Sequence, residues 1–235
     1  MRRESPDISR ADELPGPELR AAAQLDPEII IARLEPMVTP ERQARLKDVI
    51  ARRLDAVTLL MDAPHDPHNG AAVIRSCDAF GVQRLHVIER HEPFLAATSV
   101  AKGSQKWVDV IAHATAREAV GSLEASHHEL VAADPEGDLV PEDLRRVPRP
   151  AIVVGNEHGG IADDLRSRCK LAVRVPQRGF VDSLNLSVCA AILLSFAASE
   201  RPGDLDPDER RRLYARGLVL TVPRAAEVIL GHRGP

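Results

Sequence analysis

Five polar side chains stand where apolar stretches of the sequence give way to loops, and their types suit phosphate and hydroxyl chemistry. They are Asn69, Arg75, Glu157, Ser183 and Asn185. In open parallel α/β sheets, ligands bind beyond the carboxyl ends of the strands, so loops that follow separate strands meet there. We therefore expect these side chains to grip a polar, phosphate-bearing substrate beside a small cofactor.

Short apolar or β-branched runs, separated by helical patterns, predict the elements that position these residues. Strands are predicted at 56–61, 84–88, 108–113, 129–133, 151–154 and 171–175, with helices at 70–80, 114–126 and 184–196. This alternation is typical of an α/β fold with a mostly parallel sheet and helices on both faces. The last of these helices is almost entirely apolar, so we expect it to be buried on most sides.

Polar residues stand at the start of the helices 70–80 and 184–196. Asn69 is placed to cap the helix 70–80, and either Ser183 or Asn185 is placed to cap the apolar helix. Arg75 lies about 200° around its helix from Val73, at ~100° per residue, so it points away from the core.

The chain divides by composition into four segments. Residues 1–38 are rich in proline and charge and are predicted to be a mobile extension, although 27–34 has a helical pattern. Residues 39–54 form a basic helix that begins with Thr39 as N-cap. Residues 55–200 form the main domain, and 201–235 a linker with a C-terminal helix.

Several classes of protein are excluded by what the sequence lacks. There is no G-x-G-x-x-G after the first strand, no Walker loop, no G-x-S-x-G and no paired-cysteine metal signature. The three cysteines are far apart and predict free thiols. His65 and His68 have no third ligand at a metal-binding spacing, so no metal is expected.

The absence of a long apolar run and of a signal-peptide pattern predicts a cytoplasmic protein that does not enter a membrane. The net charge of −4 argues against indiscriminate nucleic-acid binding. Much of the acidity lies in residues 1–40, which hold five basic and eight acidic side chains. A basic face on the remainder is therefore compatible with the composition.

Three ordered stretches resemble the motifs of one family. Asp66–Val82, then Gly155–Ile161, then Val175-Pro176 with Ser183–Val188 are similar to the SpoU/TrmH family of SPOUT RNA 2′-O-methyltransferases. Within that family the chain most resembles the enzymes that methylate guanosine-18 of tRNA. The stretch 103–108, the basic helix before the first strand and the helix after the core also match, and the resemblance covers about residues 40–230.

The resemblance implies a C-terminal trefoil knot that binds S-adenosylmethionine, and a homodimer with its sites at the interface. It implies a tRNA substrate; ribosomal RNA or another tRNA position is the alternative. An alternative of another class is an RNA-binding knot protein without catalysis, against which the five intact polar residues speak. The turn after Phe196 is less basic than expected of the tRNA branch, and Ala133 stands where threonine is usual.

The resemblance also implies roles for individual residues. Arg75 would be catalytic, with Asn69, Glu157, Ser183 and Asn185 completing the site. The cofactor would be held by Ala133, Gly155, Val175, Pro176, Leu184 and Val188, and RNA by Arg42, Arg45, Lys106 and Arg201, with no metal. A guanidinium is a poor proton acceptor. Two roles therefore stay open for Arg75: it is the base, or it holds the substrate phosphate and stabilises the developing alkoxide.

Overall fold

The computed structural model describes residues 25–90, 94, 103–156, 159–181 and 183–231. Among the predicted site residues, Glu157 lies outside these ranges. The chain divides into two compact units, Met1–Arg53 with Gly203–Pro235, and Leu54–Pro202. We call the first the helical unit and the second the sheet unit.

In chain order, the helices are α1 (Pro27–Leu34), α2 (Pro40–Ala51), α3 (Pro67–Ala79), α4 (Ala116–Ala125), α5 (Asp163–Arg166), α6 (Leu186–Ala198), α7 (Pro207–Thr221) and α8 (Ala225–Leu230). The strands are β1 (Leu54–Asp62), β2 (Val82–Ile88), β3 (Asp109–His113), β4 (Glu129–Ala133), β5 (Pro150–Val154) and β6 (Leu171–Val173). Short 3₁₀ helices lie at Glu35–Met37, Ser104–Lys106 and Pro141–Arg146.

The six strands form one sheet in the order β3-β2-β1-β5-β4-β6, and every strand pair in it is parallel. The α/β class and the parallel sheet predicted from the sequence are confirmed. Because strand side chains alternate between faces, Leu59 packs with α3 and α6 while its neighbour Leu60 packs with α4 and α5. Helices therefore cover both faces of the sheet.

Strand β6 is held on both of its edges. On one side it pairs with β4, where Ala133 is opposite Val173. On the other side Leu139 forms a parallel bridge with Val173, and its backbone N–H donates to Ala172 O over 3.0 Å. Gly137 lies against the same strand, because a Cβ there would lie 2.7 Å from the Ala172 carbonyl carbon. The connection after β4 thus passes along the far edge of β6.

The described part of the helical unit consists of helices, and α1 packs on α7 and α8. Ile30 and Leu34 of α1 are buried, although they fall in the segment predicted to be a mobile extension. Glu35 accepts hydrogen bonds from Lys47 Nζ at 2.8 Å and from Tyr214 Oη at 2.6 Å. The Lys47 ammonium therefore lowers the pKa of the Glu35 carboxyl, and the Tyr214 bond adds to this.

Several helices begin at a side-chain cap, and one of these caps differs from the sequence analysis. Thr39 caps α2 and Asn185 caps α6, as predicted. The prediction that Asn69 caps the helix after β1 is wrong, because Asp66 accepts from His68 N at 2.8 Å and Pro67 is the first helical residue. Pro at that position fits, since its missing N–H would have had no partner.

Helix α6 is less buried than its composition predicts. Ala190, Leu193, Leu194 and Ala197 are buried, whereas Val188 is 47% exposed. Phe180 and Val181, in the loop before this helix, are exposed as well.

Cys77, Cys169 and Cys189 are free thiols. Within the described residues, no helix is long and apolar enough to cross a membrane.

Candidate active site

Two of the predicted site residues meet beyond the carboxyl end of β1. The side-chain amide of Asn185 donates from Nδ2 to Oδ1 of Asn69 over 3.0 Å. Asn69 is in the first turn of α3 and is buried at 8% exposure. The bond joins the first and third sequence motifs, which the sequence alone could only place at strand ends.

The position of Asn185 follows from its role as a helix cap. Its Oδ1 accepts from Ser187 N at 2.9 Å and from Val188 N at 3.4 Å. It also accepts from Ser187 Oγ at 2.7 Å. Since Oδ1 is committed to the helix, the Nδ2 group is the part of the side chain that reaches Asn69. The Asn185 side chain therefore both caps α6 and forms the hydrogen bond to Asn69.

Arg75 follows Asn69 in the sequence and Ser183 precedes Asn185, and both side chains are exposed. Arg75 is exposed on α3, as the helical spacing predicts, and Ser183 is exposed two residues before the α6 cap. An exposed guanidinium at this position is accessible to an RNA phosphate. We therefore keep Arg75 as a candidate for contact with substrate.

The two described ends of the glycine-rich stretch after β5 are joined by backbone hydrogen bonds. Asn156 N donates to Gly160 O at 3.0 Å, and Gly160 N donates back to Asn156 O at 3.2 Å. A Cβ on Gly155 would lie 2.0 Å from the Gly160 carbonyl carbon, so only glycine fits there. Asn156 Oδ1 also accepts from Gly159 N at 2.7 Å. Glu157 falls within this stretch in sequence and lies outside the described residues.

The predicted cofactor residues lie after neighbouring parallel strands. Ala133 ends β4, Gly155 follows β5, and Val175 and Pro176 follow β6. Ala133 and Val175 are partly buried and pack on the apolar core, whereas Pro176 and Val188 are exposed. Leu184 is partly buried beside Asn185. Apolar side chains with backbone groups at strand ends suit a nucleoside-like ligand, so these residues fit the predicted cofactor.

The carboxylate of Asp134, which follows β4, accepts two hydrogen bonds within the protein. Asp134 accepts from the backbone N–H of Glu136 at 2.9 Å and from Arg166 Nε at 3.0 Å. These bonds lower the pKa of the Asp134 carboxyl, and the bond from the Glu136 backbone has the largest effect.

Burial raises the pKa of the Cys189 thiol on α6, which therefore stays protonated near neutral pH.

The sequence analysis did not predict an ion-pair cluster that lies next to the glycine-rich stretch after β5. Asp62 at the end of β1 is fully buried and accepts from Arg90 Nε at 2.7 Å and from Ala162 N at 2.9 Å. Arg90 Nη2 also donates to Asp164 at 2.7 Å. The available signal was Asp62 directly after the apolar run 59–61, since a buried carboxylate requires partners.

The predicted RNA-binding residues separate into two kinds. Arg42 and Arg45 on α2, and Lys106, are exposed. Arg201 instead donates to the backbone oxygens of Ala197 at 2.7 Å, Pro148 at 2.7 Å and Val147 at 2.5 Å. Arg201 therefore joins the end of α6 to the segment before β5, and these contacts are structural.

The chain is similar in sequence to characterised proteins. Residues 56–195 match the SpoU rRNA Methylase family. The tRNA (guanosine(18)-2′-O)-methyltransferase of Escherichia coli K12 is 34% identical over 167 residues, which cover 70% of this chain and 72% of that protein. The 23S rRNA (guanosine-2′-O-)-methyltransferase RlmB of the same organism is 33% identical over 177 residues, covering 73% and 71%.

Solved structures show the same fold. The TrmH/SpoU tRNA modifying enzyme of A. aeolicus superposes with a TM-score of 0.67 at 23% identity, over 78% of this chain and 98% of that one. The SpoU methyltransferase AviRb of Streptomyces viridochromogenes, solved in complex with AdoMet, gives a TM-score of 0.57 at 27% identity, over 64% and 62%. Because the family model matches more than half of the chain, the chain belongs to the SpoU rRNA methylase family.

Proposed function

We propose that the protein is an S-adenosylmethionine-dependent RNA ribose 2′-O-methyltransferase whose substrate is guanosine-18 of tRNA. The observation that carries this proposal is the 3.0 Å bond between Asn185 and Asn69, which brings the first and third motifs together. The relative that methylates guanosine-18 matches over 70% of the chain. Methylation of ribosomal RNA is the second candidate, favoured by the similarity to RlmB.

In this proposal the chain's own residues orient the ribose and exclude water. Asn69 and Asn185 fix the two loops, so that the 2′-hydroxyl is held in line with the methyl group to be transferred. S-adenosylmethionine supplies a methyl group already activated by its sulfonium. The proton of the 2′-hydroxyl would pass to Arg75 if this residue is the base. In the other version it would pass to solvent water, while the positive charge of Arg75 binds the substrate phosphate and stabilises the developing alkoxide. Glu157 and Ser183 are proposed to complete the polar surface around the ribose.

The cofactor is proposed to lie against Ala133, Gly155, Val175, Pro176, Leu184 and Val188. We further propose that the sheet unit is knotted. This is supported by β6, which lies between β4 and the segment at Leu139. The connection between β4 and β5 therefore passes around a strand that is made later, and α6 returns to pack on α3, β1 and β5.

The protein is proposed to act as a cytoplasmic homodimer. The support is the exposed apolar surface of α6 and the preceding loop, with Val188 47% exposed and Val181 61% exposed. Exposed apolar surface of this kind marks interaction sites. Light scattering should then give twice the 25.6 kDa chain mass. A mass equal to one chain at micromolar concentration would contradict the dimer.

The four-segment division is kept as a proposal with functional roles. Residues 55–200 are proposed to carry the chemistry, and the basic helix at 39–54, with Arg42 and Arg45, to hold RNA. Within the extension 1–38, the helix α1 is proposed to stabilise the helical unit, because its Ile30 and Leu34 are buried. Lys106 is proposed to contact RNA from the main domain. Arg201 is left out of the RNA-binding set because of its five backbone acceptors.

The decisive experiment is transfer of labelled methyl from S-adenosylmethionine to unmodified total tRNA and, separately, to ribosomal RNA, with mapping of the modified nucleotide. Label at the 2′-oxygen of guanosine-18 supports the proposal. Label only on ribosomal RNA would keep the reaction and change the substrate. No label on either, from a protein that binds RNA, would favour a non-catalytic RNA-binding role. Arg75→Ala is the matched inactive control.

A further inference from the structure

One aromatic side chain of the sheet unit stands clear of the rest of its chain. Phe180, in the loop between β6 and α6, is 108% exposed, whereas Phe94 is buried. The whole sequence has four phenylalanines, one tryptophan and one tyrosine, so aromatic rings are scarce. An exposed ring adds nothing to the hydrophobic core. The loop therefore presents a free, planar, apolar face beyond the carboxyl end of β6.

The same loop is positively charged. Residues 174–181 contain Arg174 and Arg178 and no carboxylate, and the next acidic residue, Asp182, falls outside the described residues. Arg174 donates to the carbonyl oxygen of Gly137. Arg178 is exposed, and none of the described residues forms an ion pair or a hydrogen bond with its side chain. The guanidinium of Arg178 is therefore accessible to an anion from outside the chain.

The loop begins and ends at residues of the candidate active site. It contains Val175 near its start and leads into Asn185, whose amide donates to Asn69. Phe180 and Ser183 are three residues apart, so their Cα atoms lie at most about 11 Å from each other. If the ribose of a nucleotide lies beside Ser183, the ring of Phe180 can reach the base of that nucleotide or of its neighbour.

We propose that Phe180 and Arg178 form an RNA subsite, in which the ring stacks on an unpaired base of the substrate and the guanidinium binds a phosphate next to that base. Aromatic side chains bind single-stranded RNA by stacking on unpaired bases, and basic side chains bind the backbone beside them. This inference rests on the proposed function and deepens it. It restricts the substrate to RNA that is unpaired around the methylated nucleotide.

A second copy of the chain is the other candidate to cover Phe180, because Val181 and Val188 are proposed to lie in the dimer interface. The neighbouring arginine favours RNA. Charged residues are depleted at the core of protein interfaces, since a buried guanidinium requires an acidic partner. RNA supplies both a base for the ring and a phosphate for Arg178.

The first test measures binding of a hairpin RNA with a guanosine in its loop, in the absence of S-adenosylmethionine. Phe180→Ala should weaken binding about fivefold to 150-fold, which is the effect of losing one stacked base. Phe180→Tyr keeps the ring and should bind within about twofold of wild type. Phe80→Ala is the matched control, because Phe80 is also exposed but lies at the C-terminal end of α3. It should bind as wild type does.

Two further comparisons separate stacking from charge. The same RNA annealed to its complement has no unpaired base, so wild type and Phe180→Ala should bind this duplex alike. Arg178→Ala should make the plot of log affinity against log salt shallower by about 0.7 to 0.9 in slope, as expected for one phosphate contact. Arg117→Ala, which removes an exposed arginine from α4, should leave the slope unchanged.

A fluorescence measurement locates the ring directly. In Phe180→Trp the added indole should be quenched by the hairpin RNA, because stacking on a base quenches indole emission. Phe80→Trp is the control and should not be quenched, and wild type gives the background from Trp107.

The inference is overturned if Phe180→Ala binds the hairpin as wild type does, if it loses affinity for the duplex equally, or if the indole of Phe180→Trp is not quenched. A light-scattering mass that falls to one chain in Phe180→Ala would assign the ring to the dimer interface and also overturn it. Methyl transfer by wild type with unchanged hairpin affinity in Phe180→Ala would remove the subsite and keep the proposed function. Hairpin binding that depends on Phe180, without methyl transfer, would keep the subsite and remove the proposed function.

Discussion

Asn185 Oδ1 accepts from the backbone N–H of Ser187 while its Nδ2 donates to Asn69, so a single side chain caps α6 and binds the first motif. The two roles are chemically separable. An aspartate keeps an oxygen for the cap and lacks the amide donor. Capping and site formation can therefore be tested independently at one position.

Asn185→Asp should lower methyl transfer strongly and leave stability nearly unchanged, because aspartate caps a helix as well as asparagine does. Asn185→Ala should lower activity and also cost about 1 kcal/mol of stability, because the cap is removed. Urea denaturation and methyl-transfer assays on both variants check this. Full activity in Asn185→Asp would show that the amide donor of Asn185 is not needed.

Arg75→Ala should abolish methyl transfer without affecting the fold. Arg75 is exposed, and surface substitutions usually change stability by less than about 0.5 kcal/mol. Affinity for S-adenosylmethionine, measured by calorimetry, should also be retained. Arg117→Ala, an exposed arginine on α4, is the control and should remain active. Wild-type turnover in Arg75→Ala would remove this residue from catalysis.

Replacing Arg42 and Arg45 together by alanine should weaken RNA binding. For every phosphate that a protein no longer neutralises, the plot of log affinity against log salt becomes shallower by about one in slope. Measuring RNA affinity between low and moderate salt therefore reports whether these two arginines bind phosphates. Arg52→Ala, at the end of the same helix and paired with Asp48, is the control and should leave the slope closer to wild type. An unchanged slope in the double variant would place the RNA elsewhere.

Arg201→Ala should act on stability and not on RNA affinity. Its guanidinium donates to carbonyls at the end of α6 and before β5, which have no such donor in the variant. We expect a decrease in stability on the order of 2 kcal/mol, measured by urea denaturation. Arg145→Ala, whose ion pair with Glu200 is exposed, should cost less than about 1 kcal/mol. Weakened RNA binding with unchanged stability would restore Arg201 to the RNA-binding set.

Stability should fall on mild acidification because of a buried histidine pair. His86 Nδ1 and His113 Nε2 are 2.8 Å apart on adjacent strands. Burial, followed by the charge of His113, lowers the pKa of His86 from 6.5 to about 3. The unfolded chain therefore binds more protons between these two values, so the free energy of unfolding decreases as pH drops from about 6.5 toward 3.

Melting temperatures at pH 7.5 and 5.0 measure this effect. His86→Gln, which retains a hydrogen-bonding group toward His113, should show a smaller decrease between the two pH values than wild type. Replacement of the exposed His68 by alanine should leave the decrease as it is. Equal slopes in wild type and His86→Gln would assign the acid sensitivity to other groups.

Much of the fold was predictable because its signals are local. Strand β4 was predicted with its observed limits, and the C-terminal helix predicted within 201–235 is present as α7. The Asn69 cap was mispredicted because Asp66 and Asn69 both suit an N-cap, and the proline at 67 was not given its weight. Long-range pairings escaped prediction: nothing near Arg90 in sequence indicates Asp62, and nothing near Arg201 indicates the carbonyls of 144–148. The 3.0 Å approach of Asn69 and Asn185 likewise required three dimensions.

The enclosure of β6 has a consequence for how the protein is made. Both of its neighbours, β4 and the segment at Leu139, precede it in the chain. On the ribosome the groove that receives β6 is therefore synthesised before β6 leaves the exit tunnel. Translation therefore presents both flanking segments before β6, whereas in a chain refolding from denaturant all of these segments are present from the start. We expect vectorial synthesis to shorten the path to the native state for this protein more than for an α/β fold with an open edge strand.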